Sequence, residues 1–444
     1  MASVLVIGAG LAGLACAWRL QRAGFDVEVL EREAAPGGRA RSREHEGFLI
    51  EPGVGVFASR DNGLHGLARH VDLASDVQSI LRFPDAIDTA HGMAAVRPIE
   101  DPLFVQTDAV HRSDAWRLGR LRVEALRWRR ELDPVSEKAI GALDSLSAVT
   151  WLDRVVGRGL RRERVVPYAS ALAGMNVEAL SAAAFLRFAE RLRGVRPQYL
   201  IGGLALLANR LADRLNVRFG CDVSAIESED DGARVRYRAG AREGRAMADA
   251  VVVAVTGPSM ASLCPKLVPS ERGFFESLSF ARRTVAHLLF DAAPAVPHRM
   301  IAFPPRDGFG VSALEVAHHM RGAAPSGAGL LRAVLSEAAT GRLSGATDAE
   351  VAGVVLDNLE RSAVGRLTPR EVIVDRIDAA APIAGPGFFA SLARFENRVE
   401  RTPRMAFAGD YFAGQGAEAA ISSGLHAASE IAHALPPRSV SRVV

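Results

Sequence analysis

The chain has 444 residues, 49% of them hydrophobic and 24% charged, and its 54 basic and 51 acidic side chains leave a formal net charge of only +3. That length exceeds what one ordinary core fills and predicts two or three domains, while the composition excludes disorder and a coiled coil. Lys138 and Lys266 are the only lysines, so nearly all positive charge is arginine; with acids almost matching it and no basic tail, nucleic acid is not an expected partner.

The three cysteines, Cys16, Cys221 and Cys264, are scattered without CxxC spacing and predict neither a disulfide frame nor a metal site. Strand-type residues begin directly after Met1, and no apolar run reaches eighteen residues. The expectation is a cytoplasmic chain with no signal peptide and no membrane span, surface attachment remaining open.

Residues 3–33 read as a βαβ unit: strand Ser3 to Ile7, a glycine turn, an amphipathic helix from Leu11 to Ala23 stopped by Gly24, and a second strand from Asp26 to Glu31. Strands are next predicted at 217–219, 222–226, 233–237 and 250–255. A third patch, 405–410, leads into a helix from Ala417 to Ala434. Between these patches lie two long inserts, the first mostly helical and arginine-rich, the second mixing strands and helices. The tail from Pro436 is expected to fray.

Gly8-Ala9-Gly10-Leu11-Ala12-Gly13 is a GxGxxG turn in its required context, after a strand and opening a helix. Gly8 permits the tight turn, Gly10 lets backbone approach a pyrophosphate, and Gly13 lets helix pack on strand; the helix amides and dipole favour phosphate. Glu31, at the end of the second strand, is placed for ribose hydroxyls. A dinucleotide site is therefore predicted.

Beyond Glu31 comes Arg32, and then Gly37-Gly38-Arg39-Ala40-Arg41-Ser42, a GGRxxS stretch. It resembles the flavoprotein superfamily of amine oxidases, protoporphyrinogen oxidases and phytoene desaturases. The resemblance implies FAD in an α/β fold: a discontinuous Rossmann-like FAD-binding domain (1–57, 197–275 and 395–435) with an interleaved α+β substrate-binding domain (58–196 and 276–394). No cysteine stands near Ser422 or Gly409, so the FAD is expected to be non-covalent. It implies that Gly38 and Arg39 lie near the flavin and its phosphates, that Val223 meets the adenine, and that Asp410 after Gly409 holds the ribityl or pyrophosphate part. It also implies that the helix from Ala417 aims its amides at the flavin ring.

Gly47-Phe48-Leu49-Ile50-Glu51-Pro52-Gly53-Val54 carries the ExG of the protoporphyrinogen oxidase group, so Gly53 and Val54 join the expected cofactor contacts. Gly414-Gln415-Gly416 and the 167–181 segment resemble that group too, although the Gly-Asp at 409–410 is commoner in amine oxidases and desaturases. The strand lysine of amine oxidases is missing: aligning 284–290 on that strand puts Ala286 at its position, and Gly416 falls at the aromatic-cage position.

These features predict an FAD-dependent oxidoreductase that removes hydride from an apolar or partly apolar substrate, at a C–H next to nitrogen or an allylic one, protoporphyrinogen-oxidase-like, with oxygen or a quinone as acceptor. Rival readings are a flavin amine oxidase, a carotenoid or squalene-type desaturase or dehydroxylase, and a flavin-free binding protein like the Rab GDP-dissociation inhibitors. No catalytic side chain stands out, since the flavin carries the chemistry. His318-His319 lacks ligand spacing for a metal, and His287 reads as a packed core histidine. Tyr168, Tyr199, Phe412 and Trp151 are candidates for lining a substrate cavity. The arginine-rich stretch 112–130 predicts a basic amphipathic helix, either solvated, on a membrane surface or steering an anionic substrate.

Overall fold

The computed structural model describes residues 1–53, 55–80, 83–96, 112–129 and 137–435. Its centre is a five-stranded, all-parallel sheet ordered Asn216–Arg218, Asp26–Leu30, Ser3–Ile7, Ala250–Val253, Met405–Phe407. Strands far apart in sequence thus lie side by side: Val4 to Ile7 pair with Ala250 to Val253, which pair in turn with Met405 to Phe407. Val4, Val6, Val252 and Val253 are fully or almost fully buried on this doubly covered sheet, which is why these strands read as continuous apolar runs rather than alternating ones.

The helix Leu11–Arg22 follows the first strand, and Gly24 (φ +87°) follows the turn that ends it. The helix Ala417–Ala434 crosses it so closely that a Cβ on Gly424 would stand 2.1 Å from the carbonyl oxygen of Ala12. Behind the sheet stands an antiparallel meander, Cys221–Glu229, Gly232–Ala239 and Arg242–Ala248.

A second, seven-stranded sheet runs in the order Glu371–Ile383, Ser279–Phe290, Gly329–Leu335, Val311–Val316, Met300–Ala302, Asp85–Thr89, Gly92–Val96. Its outer face is packed by Val351, Val355 and Leu359 of the helix Asp348–Glu360, whose Thr347 and Glu350 form a reciprocal cap at the N-terminus. Helices from the 148–192 region pack together through Trp151, Phe185 and Val177. Within 58–196, expected to be mostly helical, the strands Val77–Ser79, Asp85–Thr89 and Gly92–Val96 also form: the first two find sheet partners distant in sequence, and the third makes a hairpin with the second. The helix Arg112–Arg129 matches expectation; Arg130 and the tail from Pro436 lie outside the described residues.

The crossing at Gly424 makes a specific demand. Gly424→Ala is expected to lower stability by about 1–3 kcal/mol through overpacking. Gly66→Ala, in the helix Asn62–His70 with nothing within 4 Å of its would-be Cβ, is expected to raise it by about 0.5–1 kcal/mol. Chemical denaturation of the two variants side by side checks the opposite signs.

Candidate functional site

The glycine turn at 8–13 is shaped by backbone crowding. Gly8 has φ +102°, and a Cβ there would come 2.9 Å from the Ala254 carbonyl oxygen. A Cβ on Gly13 would stand 1.9 Å from the Gly8 carbonyl oxygen, so that position admits no side chain. Ala9 is fully buried and donates its N–H to Glu31 Oε2 at 2.6 Å; the other Glu31 oxygen accepts from the Glu33 N–H at 2.9 Å. A second glycine pass, Gly37 and Gly38, lies beside Gly10 through a bridge between Gly10 and Gly37. Gly53 sits under the Arg39 carbonyl oxygen, 2.5 Å from where its Cβ would be.

One cavity of about 1570 Å³ collects these elements. Gly8, Gly10, Leu11, Ala12, Glu31, Arg32, Gly38, Arg39, Gly53, Val223, Gly409, Asp410 and Ala417 all line it. Ala9 and Gly13 stand behind the wall, and Val54 lies outside the described residues. The volume exceeds the usual ligand pocket of roughly 300–1000 Å³, enough for a dinucleotide together with a second molecule.

Arg39 and Asp410, 371 positions apart, face each other in a bidentate pair, Nη1 to Oδ2 at 2.8 Å and Nη2 to Oδ1 at 2.7 Å. The turn bearing Asp410 is fixed by Ser423, whose hydroxyl accepts the Gly409 N–H at 3.0 Å. The helix Ala417–Ala434 begins at Gly416 with no side-chain cap, and Gly416, Ala417 and Ala420 line the cavity, so its first amides face that space. Glu418 of the same turn instead accepts the N–H groups of Gly63 and Leu64 at 2.9 and 2.8 Å, tying down the helix Asn62–His70.

The other part of the cavity is largely apolar, with Leu172, Leu180, Phe188, Ile377, Phe388 and Phe389 in its wall. Of the four aromatics expected there, only Phe412 lines it. Tyr168 is buried and donates to Asp85 Oδ2 at 2.8 Å, the Tyr199 hydroxyl accepts the Arg321 N–H at 2.8 Å, and Trp151 packs on Phe185. Each ring is used by the core instead.

The strand Ser279–Phe290 requires a correction. Ala286 packs with Leu288 and Leu331 on the face covered by the Asp348–Glu360 helix, away from the cavity. The basic side chain that this strand gives to the cavity is Arg283, before a regular stretch and after a register shift at 281–283 that sequence alternation does not show. His287 is fully buried with Nε2 3.1 Å from Asp375 Oδ2, and burial lowers its pKa, as a core histidine requires. His318 and His319 occupy a 3₁₀ turn; His319 stacks on Phe83 with centroids 3.5 Å apart, and burial together with His318 and His298 pushes it down to about 4.

Sequence reading also missed a buried charge group. Arg332 reaches Glu315 at 3.2 Å and Glu51 at 3.4 Å, and Arg299 reaches Asp85 at 2.5 Å. Burial raises the Glu51 carboxyl against the lowering effect of Arg332. Cys264 lies close enough to Tyr411 to affect its ionisation, and burial pushes its thiol up to about 12; Cys221 reaches the cavity wall. Thiols so raised are poor nucleophiles.

Known proteins resemble this chain over nearly its whole length. A coproporphyrinogen III oxidase of Propionibacterium freudenreichii subsp. freudenreichii is 25% identical over 500 aligned positions, covering 96% of this chain and 90% of that one. A phytoene dehydrogenase of Streptomyces griseus is 28% identical over 257 residues, 51% of this chain and 50% of that protein, so this match spans half the relative's length. A solved structure of wild-type putrescine oxidase bound to putrescine shares the fold with a TM-score of 0.80 at 17% identity, covering 97% of this chain and 99% of that one. The model of the flavin-containing amine oxidoreductase family matches residues 11–432, and the chain belongs to that family of FAD-dependent oxidases.

Proposed function

We propose that the protein binds FAD non-covalently and removes hydride from an apolar or partly apolar organic molecule, at a C–H next to nitrogen or an allylic one, in the manner of protoporphyrinogen oxidases. The observation that carries this reading is the union, in one cavity, of the glycine turn, the Arg39–Asp410 pair and an apolar chamber. Residues 1–57, 197–275 and 395–435 would form the cofactor-binding part, and 58–196 and 276–394 the substrate part.

The residues present fit the cofactor. The glycine turn and the open amides of the Leu11–Arg22 helix suit a pyrophosphate, the Glu31 carboxylate suits ribose hydroxyls, and Val223 suits the adenine end. When bound, FAD supplies the hydride-accepting centre. Arg39 would sit near the phosphates with its charge held by Asp410, and the uncapped amides at Ala417 favour negative charge beside the ring. The apolar wall excludes water and orients the substrate. The electrons would pass on to oxygen or a quinone.

The coproporphyrinogen oxidase relative supports the porphyrinogen reading, and the family's amine oxidoreductase description supports an amine as the second one. The strand Ser279–Phe290 contains no lysine, and the basic side chain it gives to the cavity is Arg283, which leaves the first reading ahead. The flavin-free alternative has little support beside an intact glycine turn.

We place the protein in the cytoplasm, at times on an anionic lipid surface. No described helix is long and apolar enough to cross a membrane. The helix Arg112–Arg129 turns Leu118 and Leu121 inward and leaves Trp116 (66% exposed), Val123 and Leu126 outward among Arg120 and Arg127. A tryptophan and two aliphatics interleaved with arginine suit the interface of a charged bilayer.

Four results are expected. Heat or acid releases free FAD from the purified protein, and Glu31→Ala weakens FAD binding by roughly ten- to a hundredfold, as for a lost charged hydrogen bond, measured by fluorescence titration of the apoprotein. Under anaerobic conditions a porphyrinogen bleaches the flavin band rapidly and a panel of amines does not; bleaching by amines alone reverses the order of the two readings. Phosphatidylglycerol vesicles sediment the protein while phosphatidylcholine vesicles do not, and the double variant Trp116→Ser, Leu126→Ser stays in the supernatant with both.

A further inference from the structure

Arginine charge on the wall of this cavity is mostly matched: Arg39 has Asp410, Arg43 has Asp375, and Arg299 has Asp85. Two arginines of the wall form no ion pair among the described residues, Arg187, which lies over the Phe389 ring, and the more deeply buried Arg283. Arg283 has no such ring beneath it among those residues. It is 5% exposed and lines the cavity, yet among the described residues no carboxylate oxygen lies within 4.0 Å of it. Among the described residues its one hydrogen-bond partner is the carbonyl oxygen of Gly174, which accepts from Nε at 2.9 Å and also from Nη2. Nη1 has no partner among the described residues.

A buried guanidinium held by a single carbonyl is costly, because a neutral acceptor replaces neither its lost hydration nor a counter-charge. Burial pushes its pKa down to about 10; Glu315 favours its charge while Arg332 and Arg39 oppose it, and it stays cationic at neutral pH. Glu315, on the same cavity wall, is engaged by Arg332 at 3.2 Å. A buried guanidinium that faces the cavity without an ion pair calls for an anionic group from what enters it.

We propose that Arg283 is the anion-binding residue of the substrate chamber, and that the molecule oxidised here carries a carboxylate which Arg283 takes while its apolar body lies against Leu172, Ile377 and Met300. The guanidinium fork suits carboxylate geometry. Arg283 is then a specificity-determining residue. This rests on the reading of the cavity given above, and deepens it by naming the polar part of the substrate. The other source of negative charge in the same space is the reduced cofactor, and the test separates the two.

The probes are benzoate and benzamide, alike in shape and different in charge. FAD-loaded protein is titrated with each, following the visible flavin band and the thermal midpoint. Benzoate is expected to bind about tenfold or more tightly than benzamide, and Arg283→Met to abolish that preference. Arg283→Lys, which keeps the charge and loses the fork, is expected to recover part of it. Equal binding of the two probes by the wild type, or unchanged benzoate preference in R283M, overturns the proposal. So does a drop in the flavin midpoint potential in R283M with benzoate binding intact, which would assign the charge to the cofactor. Should R283M not take up FAD, R283K and the thermal shift of apoprotein with each probe carry the same decision. A wild type that takes up no FAD defeats the functional reading alone, since the apoprotein titration still judges Arg283.

Discussion

The structure depends on how closely three pieces of backbone approach one another around the helix Leu11–Arg22. Gly13 rests on the Gly8 carbonyl, and Gly424 of the last helix rests on the Ala12 carbonyl, both at distances that leave no volume for a methyl group. These contacts lock the beginning of the chain against its end. The parallel pairing of Ser3–Ile7 with Ala250–Val253, and of that strand with Met405–Phe407, does the same from below. With both ends held, the turn at Gly409 and Asp410 has a fixed height above the glycine loop, and Arg39 meets Asp410 with two short hydrogen bonds. The long excursions between these pieces return to the same cavity because their anchors do not move.

Legibility in the sequence follows from this constraint. Where function needs backbone approach, the sequence must show glycine in a fixed pattern, and so the turn at 8–13, the Gly37-Gly38 pass and Gly409 could be read directly. The helix Ala417–Ala434 was readable to the residue, because it starts after Gly416 and runs on uninterrupted small and apolar positions. Glu31 was readable through its spacing, although its bonds to the Ala9 and Glu33 amides were not.

The chamber obeys no such pattern. A side chain lines it by virtue of the packing of strands and helices more than a hundred residues apart, and aromatic character says little about which side a ring faces. Tyr168 and Tyr199 went to hydrogen bonds with Asp85 and the Arg321 amide, whereas Phe412, next to Asp410, stayed in the wall. The register shift at 281–283 turned Arg283 inward, and simple alternation from Thr284 onward gives no sign of it. Pairs such as Arg332 with Glu51, separated by 281 positions, are likewise invisible until the two sheets are placed.

The distribution of arginine then acquires a physical logic. At the dinucleotide end, the groups facing a pyrophosphate would be backbone amides and a helix N-terminus, which carry partial charge without a desolvation cost comparable to that of a buried ion. Arg39 stands at that end already neutralised by Asp410, so it can orient an anionic group without attracting one indiscriminately. In the chamber, by contrast, dipoles are scarce and the wall is apolar, so any charge there acts over a longer range and is felt more strongly. Pairing Arg299 with Asp85 on the wall, and Arg332 with Glu51 and Glu315 behind it, removes much of that field. What remains at Arg283 is directional, because the Gly174 carbonyl holds the guanidinium in place at the cavity wall.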